Sequence, residues 1–405
     1  MSLPSAAARA DGHMPLPFLI FLAMMISVVA LTVDAVLPAI DGIAAELAFE
    51  NPNDRHLIVI YVLLGLGVSQ PIFGPLADSM GRKPAAMLGW AVFLVGTLMA
   101  AFSQSEWMML MGRFLQGFGA GGPRVVANTL ARDLYQGVAL ARVLSLVMTV
   151  FMLVPTIAPI LGQAIEAAFG WRAIFIVYLV LALISGAWYL IGVDETLDRE
   201  NRRSLRFGPV LGAFREVLTT RQTMACTIAA ALSFGGFIAY LATAQQIFEE
   251  VYDLGRLFPL AFSSVAIAFA CATFLNAQIV MRFGLRACCL AAFAVMIAVS
   301  AVTLIGFGAG LIAPVPALGL YLALIGVVFM AIAILMTNLT AMALDPMGHI
   351  TGTAAAVINS VSALLATLLG GVVAAQYDGD VIPLFVSFAV LGLAGLVLFL
   401  AGTDR

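Results

Sequence analysis

The sequence is poor in charged residues and contains a single lysine. Only 10% of its 405 residues are Asp, Glu, Lys or Arg, whereas 63% are hydrophobic, and the mean hydropathy is +1.08. About a quarter of the residues of an ordinary soluble domain are charged, so this composition excludes a soluble protein. The few charges also leave no basic patch suited to nucleic acid.

Residues that carry out catalysis or bind metal ions are also scarce. The four cysteines lack metal-type or redox-type spacing and are typical of small buried residues: Cys226, Cys271, Cys288 and Cys289. The three histidines lie outside the apolar runs or at their ends: His13, His56 and His349. No nucleophile and base can be paired from these residues, and no Walker-type phosphate loop is present. We therefore expect neither an enzyme nor a bound metal or organic cofactor.

Long unbroken apolar runs make up most of the chain. Runs of about 20 residues span a bilayer as helices, so the sequence predicts an all-α polytopic membrane protein with twelve spans. The predicted spans are 17–38, 57–76, 84–103, 107–130, 144–167, 172–193, 223–247, 257–280, 286–308, 316–342, 351–375 and 381–402. The connection 194–222 divides them into an amino-terminal six-helix half, 1–193, and a carboxy-terminal one, 223–405.

The positions of arginine and lysine predict the orientation of the spans, because cytoplasmic loops are enriched in these residues. With the amino terminus in the cytoplasm, fourteen of the nineteen basic residues fall in cytoplasmic segments. Only Arg55, Arg172 and Arg256 then face outward, and Arg113 and Arg124 lie within a span. We therefore predict that both termini are cytoplasmic.

The central connection, 194–222, contains six arginines, together with apolar residues at helical spacing: Phe207, Val210, Leu211, Phe214, Val217 and Leu218. Two interpretations stay open. The segment is either a short helix on the inner membrane surface, with its arginines toward anionic headgroups, or a flexible linker with incidental periodicity. Either structure lets the two halves move relative to each other.

A polar, turn-rich segment, GPLADSMGRKP at 74–84, separates spans 2 and 3. Gly74 and Pro75 predict the end of one helix, and Gly81 predicts a tight turn. Pro84 predicts the start of the next helix, where a missing N–H costs nothing.

The charges of this segment allow two interpretations. Arg82 and Lys83 serve as topology signals, but Asp78 is unnecessary for that purpose. A carboxylate beside two cations makes charge-assisted hydrogen bonds across a helix junction, so we predict a conformational latch. MRFGLR, with Gly284 set against Gly81, is a weaker copy of the segment and indicates an internal repeat.

Ionisable residues at membrane depth are functional candidates, because a charge there is expensive. Asp34 lies near the outer end of span 1, and Arg113 lies at a similar depth in span 4. As partners they would allow Asp34 to switch between an ionised, paired form and a protonated form. The alternative is a hydrated, structural Asp34.

Arg113 and Arg124 differ by eleven residues, about three helical turns, and therefore share one face with Gln116 and Asn128. We expect this polar stripe to face a cavity between the halves. Arg124 either guides the substrate or extends toward the inner headgroups.

The remaining candidates are polar or helix-bending residues within spans. In the second half, the predicted cavity residues are Tyr240, Gln245, Asn338 and Asn359. The alternative for them is core packing or the joining of helices. In span 5, helix bending and close helix packing are predicted from Pro155, Pro159 and Gly162.

The segment 74–84 resembles the signature loop after span 2 of the major facilitator superfamily. The matching residues are Gly74, Leu76, Asp78, Gly81, Arg82 and Lys83, with Ser79 where Arg is common. Three further stretches are similar to motifs of the Bcr/CflA group of drug/proton antiporters: LTVDAVLPAI (31–40), RFLQGFGAGG (113–122) and MLVPTIAPILGQ (152–163). In the last of these Pro159 and Gly162 match, but Ala158 and Gln163 replace glycines. WRAIF (171–175) is a further match of this kind.

The resemblance implies a major facilitator fold with two pseudo-symmetric halves. It also implies proton-coupled efflux of small amphipathic compounds or drugs across the bacterial inner membrane by alternating access, with Arg113 in proton coupling. The expected partners are a small-molecule substrate, protons and the bilayer, and the chain is expected to be a monomer. The alternative function is export or uniport of an endogenous metabolite.

Overall fold

A computed structural model of the chain describes residues 16–135, 137–198, 200, 202, 207–313 and 315–403. Within these ranges every regular element is a helix. Several arginines used to predict the orientation lie outside the described residues: Arg9, Arg199, Arg203, Arg206 and Arg405.

Twelve long helices and two short ones run along the described chain. In order they are α1 (Leu16–Asp34), α2 (Ile40–Glu46), α3 (Leu57–Met80), α4 (Arg82–Ala101), α5 (Glu106–Leu134), α6 (Gly137–Phe169), α7 (Arg172–Gly192), α8 (Phe207–Thr219), α9 (Arg221–Gln246), α10 (Phe258–Phe283), α11 (Leu285–Gly308), α12 (Leu318–Leu344), α13 (Thr351–Ala374) and α14 (Ile382–Thr403). The long helices correspond one by one to the predicted spans, so the predicted fold class is confirmed.

Most of the long helices are apolar enough to cross a membrane. In the described residues ten meet this criterion by length and composition, and Val154–Phe169 of α6 is apolar but shorter. α5 is less apolar because it carries Arg113 and Arg124 along its length and further charges at both ends. The chain is therefore a multi-pass membrane protein.

Several helix ends differ from the sequence prediction, and two of them involve proline. α1 ends at Asp34 instead of residue 38, because Pro38 lies in a separate 3-10 turn, Leu37–Ala39. α3 continues through Gly74 and Pro75 as far as Met80, so the prediction that these two residues end the helix is wrong. Proline is tolerated inside membrane helices because neighbouring groups satisfy the backbone carbonyls that it leaves free.

The described chain forms two compact units. The first contains the chain up to Phe49 together with Tyr61–Val210, and the second contains Glu50–Ile60 together with the chain from Leu211. The segment Glu50–Ile60 therefore packs with the helices of the second unit.

In the first unit, α4 and α5 pack backbone against backbone. A Cβ atom built on Gly119 would lie 2.2 Å from the backbone nitrogen of Phe93. Small residues at such a contact let two membrane helices approach closely, and this contact holds α5, which carries Arg113, against α4.

In the second unit, aromatic rings fill the space between α9, α10 and α12. The Tyr240 ring lies 4.7 Å from the Phe329 ring in an edge-to-face arrangement, and it lies 6.0 Å from Phe262. Edge-to-face ring pairs add to the stabilisation that comes from burial alone. Tyr240 is thus part of the packed interior of this unit.

The central connection contains a helix, α8, as one of the two interpretations predicted. Val217 is buried on this helix, whereas Leu211 and Leu218 are exposed. Contact of these leucines with lipid stays a prediction.

Candidate functional site

The end of α1 is bound to α5 through a buried arginine. Arg113 is fully buried, and its Nη2 donates a hydrogen bond of 2.7 Å to the backbone carbonyl of Thr32. The final carbonyls of a helix lack partners within that helix, so Arg113 satisfies one of them two residues before Asp34.

A chain of buried polar groups orients this arginine. Arg113 Nη1 donates to Gln116 Oε1 at 2.5 Å, and Gln116 Nε2 donates to Thr97 Oγ1 at 3.0 Å. Thr97 Oγ1 in turn donates to the Phe93 carbonyl at 2.7 Å. Because the chain of donors ends on the backbone of α4, Arg113 is held in one orientation.

Asp34 lies at the edge of this network. It is only 5% exposed, and it lies two residues beyond the Thr32 carbonyl that accepts from Arg113. The structure thus brings the two residues to the same turn of α1, with Arg113 on the Thr32 carbonyl. The predicted proton switch between them stays a prediction.

α6 contacts the chain immediately after Asp34. A Cβ atom on Gly162 would lie 1.9 Å from the carbonyl oxygen of Ala35. Pro155 and Pro159 both lie inside α6, and Pro159 is buried. The span 5 motif therefore brings α6 into direct contact with the end of α1.

The polar stripe of α5 is divided between two environments. Gln116 is fully buried, and its Nε2 donates to Thr97 within the first unit; that this stripe faces a cavity between the halves stays a prediction. The network with Thr97 accounts for this burial. Arg124 and Asn128 are partly exposed, and Asn128 Nδ2 donates to the Arg124 carbonyl at 3.1 Å.

The segment 74–84 places Arg82 between two carboxylates. Arg82 Nη1 donates to Asp78 Oδ1 at 2.5 Å, and its Nε donates to Asp133 Oδ2 at 3.1 Å. Asp133 lies at the end of α5, so the arginine ties α3, α4 and α5 together. The sequence pattern identified Asp78 and Arg82 but did not identify Asp133.

A third carboxylate caps the start of α4. Glu195 accepts the backbone N–H of Arg82 at 2.9 Å and that of Lys83 at 3.1 Å. A negative charge at a helix amino terminus is stabilised by the free amides and by the helix dipole. The contact with Glu195 also requires glycine at position 81, because a Cβ atom on Gly81, whose φ is +109°, would lie 2.5 Å from Glu195 Oε2.

The same turn recurs in the second unit. Gly284 has φ +79° and ψ 160°, close to the φ +109° and ψ 159° of Gly81. Lys83 Nζ donates to the Val193 carbonyl at 2.9 Å, and Arg286 Nη1 donates to the Thr403 carbonyl at 2.5 Å. Each basic residue therefore contacts the end of the last long helix of its own unit.

The candidate cavity residues of the second unit lie in different surroundings. Asn338 and Asn276 exchange two hydrogen bonds, of 2.8 and 3.0 Å, that join α12 to α10. Gln245 is buried and donates to Glu249 at 3.1 Å, whereas Asn359 is exposed. Asn338 therefore joins two helices in this structure, in agreement with the alternative interpretation.

The WRAIF motif fastens α2 to α7. Trp171 Nε1 donates to Glu46 Oε2 at 2.6 Å, and Arg172 forms an ion pair with the same carboxylate. Arg172 also donates to the Ser103 carbonyl at 3.1 Å. Glu46 is a further site residue that the sequence pattern did not identify.

Comparison with known proteins identifies the family. A family model described as the Major Facilitator Superfamily matches residues 19–371. A bicyclomycin resistance protein homolog of Haemophilus influenzae is 28% identical over 376 residues, 92% of each chain. Multidrug resistance protein D of Escherichia coli is 32% identical over 163 residues, 40% of this chain and 41% of its own.

Solved structures show the same fold at low sequence identity. The xylose transporter XylE of E. coli aligns with a TM-score of 0.71 at 14% identity, over 96% of this chain and 98% of its own. The human organic anion transporter MFSD10 aligns with a TM-score of 0.64 at 19% identity, over 94% and 98%. The match to most of the chain, the twelve long helices and the 74–84 loop together show that the chain is a membrane transporter of the Major Facilitator Superfamily.

Proposed function

We propose that the protein exports small amphipathic compounds from bacteria in exchange for protons, by alternating access in the inner membrane. The observation that carries this proposal is the nearly buried Asp34, two residues beyond the Thr32 carbonyl that accepts a hydrogen bond from Arg113. The relatives named for bicyclomycin and multidrug resistance support efflux as the direction of transport.

In this proposal Asp34 carries the proton. The proton affinity of a carboxylic acid depends on its exposure to water and on its distance from a positive charge. A conformational change that exposes Asp34 or moves it relative to Arg113 would therefore change the proton affinity of Asp34. A compound that binds near Asp34 and displaces its proton would then be exchanged for that proton. The latch around Gly74, Asp78, Gly81, Arg82 and Lys83 would stabilise one end state of the cycle.

The proposed orientation places both termini in the cytoplasm, and the protein works as a monomer. The excess of arginine on one side supports the orientation. The proposed substrate contacts are Gln116, Arg124, Asn128, Tyr240, Gln245, Asn338 and Asn359. No organic cofactor or metal takes part in the exchange, since the proton gradient drives it.

The test is transport of bicyclomycin by purified protein in liposomes that contain a pH-sensitive dye. We expect bicyclomycin to release protons across the membrane, a protonophore to collapse its uptake, and Asp34→Asn to abolish the coupled flux. Asp198→Asn, at an exposed site in the central connection, is the control and should transport normally. Gradient-driven transport that survives in Asp34→Asn refutes the proposal, and bicyclomycin flux that no protonophore affects indicates a uniporter instead.

A further inference from the structure

Two side chains from other helices hold the last turn of α1. Arg113 donates to the Thr32 carbonyl at 2.7 Å. The Leu31 carbonyl already accepts the Ala35 N–H at 3.0 Å, and it also accepts a second hydrogen bond of 2.9 Å from the hydroxyl of Tyr178. The backbone just before Asp34 is therefore fixed from α5 and from α7.

Tyr178 is buried beside both members of the proposed proton switch. Its side chain is 1% exposed, and its hydroxyl lies within electrostatic range of Asp34 and Arg113. Its ring packs edge to face against Phe175 at 5.8 Å, and the Arg113 guanidinium lies 5.8 Å from that same Phe175 ring. The hydroxyl donates to a backbone carbonyl, so its effect on Asp34 acts through the helix turn.

We infer that Tyr178 is a positioning residue for Asp34: its hydroxyl bond to the Leu31 carbonyl keeps the last turn of α1 closed and the Asp34 carboxyl nearly dry. This inference rests on the proposed role of Asp34 as the proton carrier. Without the hydroxyl the turn loosens and water reaches the carboxyl. A hydrated carboxylic acid releases its proton at a lower pH than the same acid kept from water.

Two charged or titratable side chains bind this turn, Arg113 from α5 and Tyr178 from α7. On α6, which contacts Ala35 through Gly162, the nearest charged residue along the helix is Glu166, one turn further on. Glu166 lies beside α2, with its Oε1 3.4 Å from a Cβ atom built on Gly42, and within electrostatic range of Asp41. Replacing Tyr178 by phenylalanine leaves the charges of Arg113 and Glu166 in place. A shift in the titration of Asp34 therefore reports on the structure of the last turn of α1.

The same helix supplies a matched control. Tyr189 lies eleven residues beyond Tyr178 on α7, about three turns along the same face. It is fully buried, and its hydroxyl has no hydrogen-bond partner among the described residues. Tyr189→Phe therefore also removes a buried tyrosine hydroxyl, but it breaks no hydrogen bond among the described residues.

The experiment is an infrared pH titration of the protein in lipid, which needs no transported compound. The carbonyl stretch of a protonated carboxyl that is present in the parent protein and missing in Asp34→Asn reports on Asp34. We expect the midpoint to shift to lower pH by about half a unit or more in Tyr178→Phe, and to stay unchanged in Tyr189→Phe. An unchanged or higher midpoint in Tyr178→Phe overturns the inference.

The outcomes separate this inference from the proposed function. If the parent protein has no titrating band that Asp34→Asn removes, Asp34 does not exchange protons, and both proposals fall. If the band titrates normally and Tyr178→Phe leaves it unmoved, only the positioning role falls.

A second variant covers the case in which Tyr178→Phe does not accumulate in the membrane. 3-Fluorotyrosine introduced at position 178 keeps the ring and the hydroxyl and makes the hydroxyl a stronger donor. The tighter turn should then move the midpoint to higher pH. A midpoint that stays in place or moves lower with this residue contradicts the inference.

Discussion

Glu195 accepts the backbone amide of Arg82 at 2.9 Å, across 113 residues of sequence. The contact caps α4 with a carboxylate from the connection after α7, and the Arg82 side chain meanwhile reaches Asp78 and Asp133. The loop that was recognised by its own residues thus depends on two carboxylates from distant parts of the chain.

Glu195→Gln tests this cap. The amide still accepts hydrogen bonds, but the charge that favours the amino terminus of α4 is lost, and we expect the melting temperature in detergent to fall. The expected loss of stability is about 1 kcal/mol. Asp198→Asn removes a charge from an exposed position of the same connection and should leave the melting temperature unchanged. Equal melting temperatures for both variants would contradict the capping role.

Asp78→Asn tests the latch. We expect weaker transport, because Arg82 loses one of its two charged partners, while membrane insertion and topology stay normal. Transport is measured in the liposome assay, and topology by labelling of single cysteines introduced on either side of the membrane. Altered topology would mean that the segment serves only as an orientation signal.

Gly162→Ala tests the contact of α6 with the end of α1. The added methyl group would collide with the Ala35 carbonyl at 1.9 Å, and overpacking of this kind costs about 1–3 kcal/mol. We expect a lower melting temperature and an altered Asp34 titration. Gly319→Ala on α12 is the control, because a Cβ atom there has no neighbour within 4 Å. A normal titration in Gly162→Ala would show that this contact does not position Asp34.

Replacement of the Asn276–Asn338 pair, which joins α10 to α12, tests whether Asn338 packs helices together or contacts the substrate. Asn338→Leu leaves Thr337 Oγ1 as an acceptor for Asn276 Nδ2 but removes the donor to Asn276 Oδ1, and a buried polar group that loses its partner costs about 1–3 kcal/mol. We expect the double variant, Asn276→Leu with Asn338→Leu, to recover part of that loss in a melting experiment. If Asn338→Leu instead keeps full stability and raises the KM for transport, Asn338 contacts the substrate.

Local signals in the sequence were sufficient for the helices and for part of the site. Runs of apolar residues indicated the twelve long helices, and Asp34, Arg113 and Asp78 stood out because charge is rare in this chain. Gly81 was recognisable because its turn requires a positive φ.

The missed residues act through contacts between distant parts of the chain. Glu195 and Asp133 lie in polar stretches typical of solvated loops, so nothing nearby in the sequence links them to Arg82. Tyr178 is one aromatic residue among many, and its hydrogen bond to a backbone carbonyl has no sequence signature. The prediction that Gly74 and Pro75 end a helix was wrong for a different reason. Their local pattern is typical of a helix end, but the packing of a membrane helix overrides it.

The Glu50–Ile60 segment has a consequence for how the chain can be divided. Asn53 of this segment donates to the Ala375 carbonyl at 2.7 Å, and Arg55 forms an ion pair with Glu250. The polypeptide therefore passes between the two units three times, once on each side of this segment and once near Val210. A fragment cut at the central connection and carrying only the last six long helices would lack a piece of its own unit, and that piece would remain on the other fragment.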